Sequence, residues 1–254
     1  MKPSIYQSFL DHKASNEKLF AVLIDPDKTQ SRELDVIIDL AKKAKIDCFF
    51  VGGSLVMNGN LDSTILKIKE ACDIPVILFP GSTMQISYAA DAILYLSLIS
   101  GRNAELLIGK QIETAPFLAS SPLEVLSTGY MLIDGGVPTS VSYMSNTMPI
   151  PAGKKDIAVC TALAGELLGM KVIFMDAGSG AKIPISSEMI KTVSSKVNIP
   201  IIVGGGIQSP EKALANVKAG ADIIVIGNAI EKDPILVVEI ADAIHSINSP
   251  ANIR

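Results

Sequence analysis

The sequence predicts an α/β fold, a (β/α)8 barrel of the TIM type in which one outer unit is modified. Three observations predict it. Eight short runs are almost wholly apolar, as strands buried on both faces are. Helical patterns separate most of these runs, and regular strand–helix alternation means parallel pairing. The chain has 254 residues, close to the roughly 250 of a single such barrel. One domain spanning residues 1–254 is therefore expected. An open, doubly wound sheet is the alternative arrangement of the same elements.

The elements follow in order. Residues 19–24 (LFAVLI) form the first strand, with a helix over 32–43 behind it. Residues 48–51 (CFFV) form the second, followed by a helix over 61–71. The third strand is 75–79 (PVILF) and the fourth is 92–98 (AILYLSL), with a helix over 104–113. The fifth, 129–133 (GYMLI), precedes a long connection rich in Pro and Gly and then a helix over 155–168. The sixth is 172–175 (VIFM), with a helix over 187–196. The seventh is 200–203 (PIIV); the helix over 210–219 behind it has Ser209 as N-cap and Pro210 in its first position. The eighth is 222–226 (DIIVI), and a helix over 234–244 closes the chain.

One interval does not fit the repeat. Only PGSTMQISYAAD lies between the third and fourth strands. A crossover with its helix needs at least roughly 10–12 residues. The third outer helix is therefore expected to be short or replaced by an extended segment, leaving a slot in the barrel wall; an ordinary short helix is the alternative.

Composition excludes several classes of function. A net charge of −4 argues against a nucleic-acid partner, since a phosphate backbone selects a basic stripe. Cys48, Cys72 and Cys160 are scattered, with neither metal-ligand spacing nor a disulfide framework. Both histidines, His12 and His245, lie far from the glycine-rich segments. The opening MKPSIYQSFLDHK lacks the apolar core of a signal peptide. No run reaches the roughly 18 apolar residues of a membrane span. A cytoplasmic protein without a transmembrane segment is expected.

In such a barrel the chemistry sits in the loops after the strands' C-terminal ends. Three of those loops are glycine-rich: Asp176-Ala177-Gly178-Ser179-Gly180, Gly204-Gly205-Gly206 and Gly227-Asn228. Without side chains, backbone N–H groups approach an anion closely, and helix N-termini add positive partial charge. The spacing of VGGGI and VIGNAI suits the phosphate site that barrels often carry beyond strands seven and eight. Glycines serving only tight turns are the alternative. At the end of the first strand Asp25 is placed at the rim, and Ser54 follows the second strand. A carboxylate with a hydroxyl makes a hard-oxygen site for Mg2+; Asp25 as a turn or N-cap residue is the other reading. Asp27 reads as a turn or helix-start residue. No P-loop and no DDxxD-type aspartate cluster is present.

Taken together, LIDPDK (23–28), FVGGS (50–54), SLISGRN (97–103), FMDAGSG (174–180), VGGGI (203–207) and VIGNAI (225–230) resemble the geranylgeranylglyceryl phosphate synthase family, bacterial members included. The order and spacing agree along the whole chain. The resemblance implies a barrel lacking its usual third helix. It implies a Mg2+-dependent prenyltransferase that joins geranylgeranyl or a related prenyl diphosphate to sn-glycerol 1-phosphate in ether phospholipid biosynthesis. Asp25 and Ser54 would bind Mg2+. The loop Phe174, Met175, Asp176, Ala177, Gly178, Ser179 and Gly180, with Gly205, Gly206, Gly227 and Asn228, would hold glycerol 1-phosphate. The diphosphate would lie near Arg102 and Asn103, and the prenyl tail along the wall slot, closed by Tyr88 or Tyr95. Asp176 and Asp25 would carry the catalysis, with Asp176 orienting and deprotonating the attacking hydroxyl. A homo-oligomer with at most transient membrane-surface contact is also implied.

The sequence departs from the family at the sixth strand. There the family reads Tyr-Leu-Glu-Ala-Gly-Ser-Gly, whereas Phe174 replaces the Tyr and Asp176 the Glu. A hydroxyl is absent and the carboxylate is one methylene shorter, which bears on how the glycerol hydroxyls are held. Two rival readings stand beside the prenyltransferase. One is a sugar-phosphate isomerase or lyase, for which only Asp25 and Asp176 offer an acid–base pair. The other is a phosphometabolite-binding barrel without turnover.

Overall fold

The structure, a computed structural model, describes residues 4–58 and 60–248; the remaining residues of the expected 1–254 domain lie outside it. Eight parallel strands close into one barrel in sequence order. They are β1 (Leu19–Ile24), β2 (Cys48–Val51), β3 (Val76–Leu78), β4 (Ala92–Leu98), β5 (Glu124–Leu132), β6 (Val172–Asp176), β7 (Ile201–Gly204) and β8 (Ile223–Ile226). The closing pair is β1 with β8, where Leu19 opposes Ile223. The expected closed barrel is thus the observed one, and the open sheet is not.

Each strand divides its side chains between two apolar layers, because successive residues point to opposite faces. Ala21, Phe50, Leu94, Leu126, Phe174 and Ile202 fill the barrel interior. Phe20, Val22, Phe49, Met131, Met175 and Val203 pack outward against the helices. Both layers are sealed, which explains why the strands read as continuous apolar runs rather than as alternating ones.

The helices are α1 (Ile5–Ser15), α2 (Ser31–Ala44), α3 (Leu61–Ala71), α4 (Lys110–Ala119), α5 (Ser140–Ser145), α6 (Lys155–Leu167), α7 (Ser187–Ser194), α8 (Pro210–Lys218), α9 (Asn228–Lys232) and α10 (Leu236–Asn248). A π-helical turn, Glu105–Gly109, leads into α4. Helix α1 was not expected from the sequence. It closes the N-terminal end of the barrel, with Phe9 buried in the interior layer. Glu124 anchors it by accepting the N–H groups of Ile5 and Tyr6 at 2.6 and 2.9 Å.

Between β3 and β4 there is no helix, only turns and extended chain over residues 79–91. The modified third unit is therefore present, in its extended form. No helix among the described residues is long and apolar enough to cross a membrane.

Candidate active site

The C-terminal ends of the strands open into one cavity of about 840 Å3. Its polar end is the glycine-rich cup expected from the sequence: Gly178, Ser179, Gly180, Gly205, Gly206, Gly227 and Asn228 all line it. Gly205 must be glycine. Its φ is +80°, and an added Cβ would lie 2.6 Å from Asp176 Oδ1 and 2.7 Å from the nitrogens of Ala177 and Gly178. The cup is braced across its width, since the Asn228 amide donates to Ser179 Oγ at 2.8 Å. Backbone this exposed and this free of side chains suits an anion.

Asp176 ends β6 on the inward side and is buried within the same cavity. Oδ1 accepts the Gly178 N–H at 2.7 Å, and Oδ2 accepts the Tyr130 hydroxyl at 2.6 Å. Burial raises the carboxyl above its ordinary value, while the hydrogen bonds from Tyr130 and Gly178 oppose that rise. Burial and the neighbouring carboxylate push the Tyr130 phenol well above its usual range, so it remains a fixed donor. Tyr130 and Phe174 are register partners on adjacent strands, and their rings meet edge-on with centroids 5.5 Å apart. Phe79 stacks on Phe174 at 4.8 Å. Phe174 thus serves as the apolar floor beneath Asp176, and the hydroxyl at this level of the barrel comes from Tyr130.

Strand parity corrects two expectations. Met175 lies between Phe174 and Asp176, so it points outward into the strand–helix layer and does not reach the cavity. Ala177 is packed in that layer too, and its N–H is engaged by the Gly204 carbonyl at 3.2 Å.

Across the mouth, Asp25, Ser54 and Lys28 line the cavity. The Asp25 carboxylate faces Gly53, where a Cβ would come within 3.1 Å of Oδ2; glycine there leaves the carboxylate room. Burial lowers Lys28, but its hydrogen bond to Asp25 and the charges of Asp25 and Glu231 outweigh this and leave it above its ordinary value. Asp27 sits in the turn over residues 26–28, the turn role read from the sequence. Its carboxylate accepts the N–H groups of Met57 and, at 3.2 Å, Asn58, tying the first loop to the second.

The apolar end of the cavity runs along the slot left by the missing helix. Ile86 of the extended segment, Ile93 and Tyr95 of β4, and Gln111, Thr114 and Leu118 of α4 line it. Of the two tyrosines considered for its far end, Tyr95 lines the cavity, its hydroxyl donating to the Gln111 carbonyl at 2.5 Å. Tyr88 is half exposed, is not part of the lining, and donates to the Phe117 carbonyl at 3.1 Å.

Arg102 and Asn103 lie outside the cavity lining. After β4 the chain turns back, with the Gly101 N–H bonded to the Leu98 carbonyl at 3.0 Å. Arg102 then donates to the Gly101 carbonyl at 2.7 Å. Asn103 caps the π-helical turn by accepting the Glu105 N–H at 3.1 Å, and donates to the Ser145 carbonyl at 3.0 Å. Gln85 was missed entirely. Buried in the extended segment, it donates to the Gly53 carbonyl at 2.8 Å and accepts the N–H groups of Gly53 and Gly81 at 3.2 and 3.3 Å. A lone polar residue in a short irregular interval gave no signal of that role.

Comparison with known proteins agrees with this geometry. A geranylgeranylglyceryl phosphate synthase of Chitinophaga pinensis is 61% identical over 97% of this chain and 98% of its own. One from Spirosoma linguale is 51% identical over 94% of this chain and 96% of its own. The crystal structure of (S)-3-O-geranylgeranylglyceryl phosphate synthase from Thermoplasma acidophilum, in complex with its substrate sn-glycerol-1-phosphate, superposes with a TM-score of 0.90 at 32% identity, covering 96% of this chain and 99% of that one. The profile of the PcrB family matches residues 12–247, and the chain belongs to that family.

Proposed function

We propose that this protein is a prenyltransferase that joins geranylgeranyl or a related prenyl diphosphate to sn-glycerol 1-phosphate, yielding a prenylglyceryl phosphate ether and diphosphate for ether phospholipid synthesis. The observation that carries the reading is one cavity with a glycine anion cup at one end, an apolar slot at the other and the buried Asp176–Tyr130 pair between them. The relatives named above support it.

The chain's residues would act as follows. The cup holds the phosphate of the acceptor, and Asp176 orients the terminal glycerol hydroxyl. The allylic C–O bond to the diphosphate breaks because the resulting cation is resonance-stabilised. The glycerol oxygen then forms the new C–O bond, and its proton passes to Asp176 as diphosphate departs. Ile93, Leu118 and their neighbours exclude water from the cation. Most of the rate enhancement comes from positioning and charge placement.

Mg2+ belongs to the same proposal. The ligands proposed for it, the Asp25 carboxylate and the Ser54 hydroxyl, line the mouth. Among the described residues no group of three or more His, Cys, Asp or Glu forms a full protein cage. Such a sparse set fits Mg2+, which keeps several waters and takes one or two carboxylates plus substrate phosphates. When bound there, the ion would neutralise charge gathering on the leaving diphosphate.

We place the enzyme in the cytoplasm, as a homo-oligomer touching membranes only transiently. Incubation with radiolabelled geranylgeranyl diphosphate and glycerol 1-phosphate should give an organic-extractable phosphate ether, and Asp176→Asn should lose at least about a hundredfold in kcat. Glycerol 1-phosphate binding without any such product would leave only the phosphometabolite-binding reading.

A further inference from the structure

Lys28 stands at the cavity mouth, apart from the anion cup and the apolar slot. Its ammonium lies 2.8 Å from Asp25 Oδ2. The other Asp25 oxygen accepts the Asp27 N–H at 3.1 Å, and the Asp25 carbonyl accepts the N–H groups of Lys28 and Thr29 at 3.2 and 3.0 Å. The Asp25 side chain is 12% exposed, whereas that of Lys28 is 53% exposed. The carboxylate is therefore held in place, while the ammonium sits on a flexible stem open to solvent. Glu231 of α9 also lines this part of the cavity, a second carboxylate towards which the ammonium can swing.

We propose that Lys28 is a built-in competitor for the divalent cation at Asp25: it occupies the carboxylate oxygen the ion would take, and yields it when a diphosphate draws the ammonium away. The inference rests on the reading of Asp25 as a metal ligand. An ammonium in contact with a carboxylate oxygen takes up one of its lone pairs and repels a second cation approaching the same oxygen. An ion offered one carboxylate and one hydroxyl is weakly held to begin with, and a resident ammonium weakens it further. A diphosphate carries enough negative charge to engage both cations. Lys28 would then contact the diphosphate while the ion settles on Asp25. Linkage makes such an effect reciprocal, so each ligand raises the affinity for the other. The protein would hold its metal firmly only with the prenyl donor present.

Direct binding measurements on the full chain test this. Titration with Mn2+ alone, following the free aqua ion by electron paramagnetic resonance, should show Lys28→Met binding about fivefold tighter than the unaltered protein, as expected for loss of an exposed ion pair. Lys28→Arg, which keeps a cation, should bind like the unaltered protein. Inorganic diphosphate titrated without metal should bind Lys28→Met several-fold more weakly. A residue with a merely structural role would not move the two affinities in opposite directions. Unchanged or weaker Mn2+ binding by Lys28→Met overturns the proposal. Asp25→Asn separates the two failures. If it loses Mn2+ binding while Lys28→Met behaves as unaltered, only the competitor role falls. If it retains Mn2+ binding, the assignment of Asp25 falls and the competitor role with it.

Discussion

At the scale of single residues, Asp176 is a carboxylate pulled in two directions. Burial opposes its charge, and donors from Tyr130 and Gly178 restore part of it. As the base of the proposed reaction it must be charged to accept a proton, so activity should climb with pH as Asp176 ionises. Tyr130→Phe removes one of the two donors. The carboxyl then moves further up, and the acidic limb of the kcat profile should shift to higher pH by roughly one unit, the equivalent of losing one hydrogen bond to a charged group. A limb that stays in place, whatever the loss in rate, would show that Tyr130 does not set the state of Asp176. Asp176 was legible in the sequence because a lone carboxylate ending an apolar run has only the rim to occupy. Tyr130 was not, since its partner is fixed by the register of β5 against β6, and the run GYMLI (129–133) does not by itself reveal which face is inward. Met175 could have been excluded, because period two alone puts it opposite its neighbours.

At the scale of elements, the extended segment over 79–91 replaces a helix and must still close the wall. Gln85 does much of this by engaging Gly53 and Gly81 through three hydrogen bonds. Gln85→Ala would leave the carbonyl and N–H of Gly53 and the N–H of Gly81 without that partner. The expected loss is about 2–4 kcal/mol of unfolding free energy in urea titrations. Because Gly53 backs Asp25, affinity for the metal proposed to bind there should fall too. A variant as stable as the parent, with unaltered Mn2+ binding, would show that the loops hold their shape without Gln85. The short interval made the modified third unit legible, since its 12 residues barely accommodate a crossover helix. Helices α5 and α9, of 6 and 5 residues, escaped because fewer than two turns leave no periodicity to detect. Helix α1 escaped for another reason: Phe9 is its only fully buried residue, so its apolar face is narrow.

For the whole molecule, the same missing helix decides which surface is left uncovered. Helix α4 and the turn before it flank the slot with two faces. Gln111, Thr114 and Leu118 look into the cavity, while Ile108, Ile112 and Phe117 are 58, 66 and 61% exposed. Ile108 and Ile112 are four residues apart, and apolar side chains clustered this way mark an association surface. A second copy packed there fits the proposed homo-oligomer. Light scattering should then give a multiple of 26.8 kDa, and Ile112→Lys with Phe117→Lys should reduce it to that mass with the circular dichroism unchanged. A parent protein already at the single-chain mass would refute this use of the surface. The chemistry makes a second demand on the same variant. The residues assigned to the anion cup and the mouth come from loops remote from α4, so glycerol 1-phosphate affinity should persist in the monomer. The slot has α4 as its outer wall, and without a partner behind it that wall is free to sway. KM for the prenyl donor should therefore rise several-fold while KM for glycerol 1-phosphate holds, because in the proposed arrangement only the prenyl donor would lie against the helix that a second copy would support.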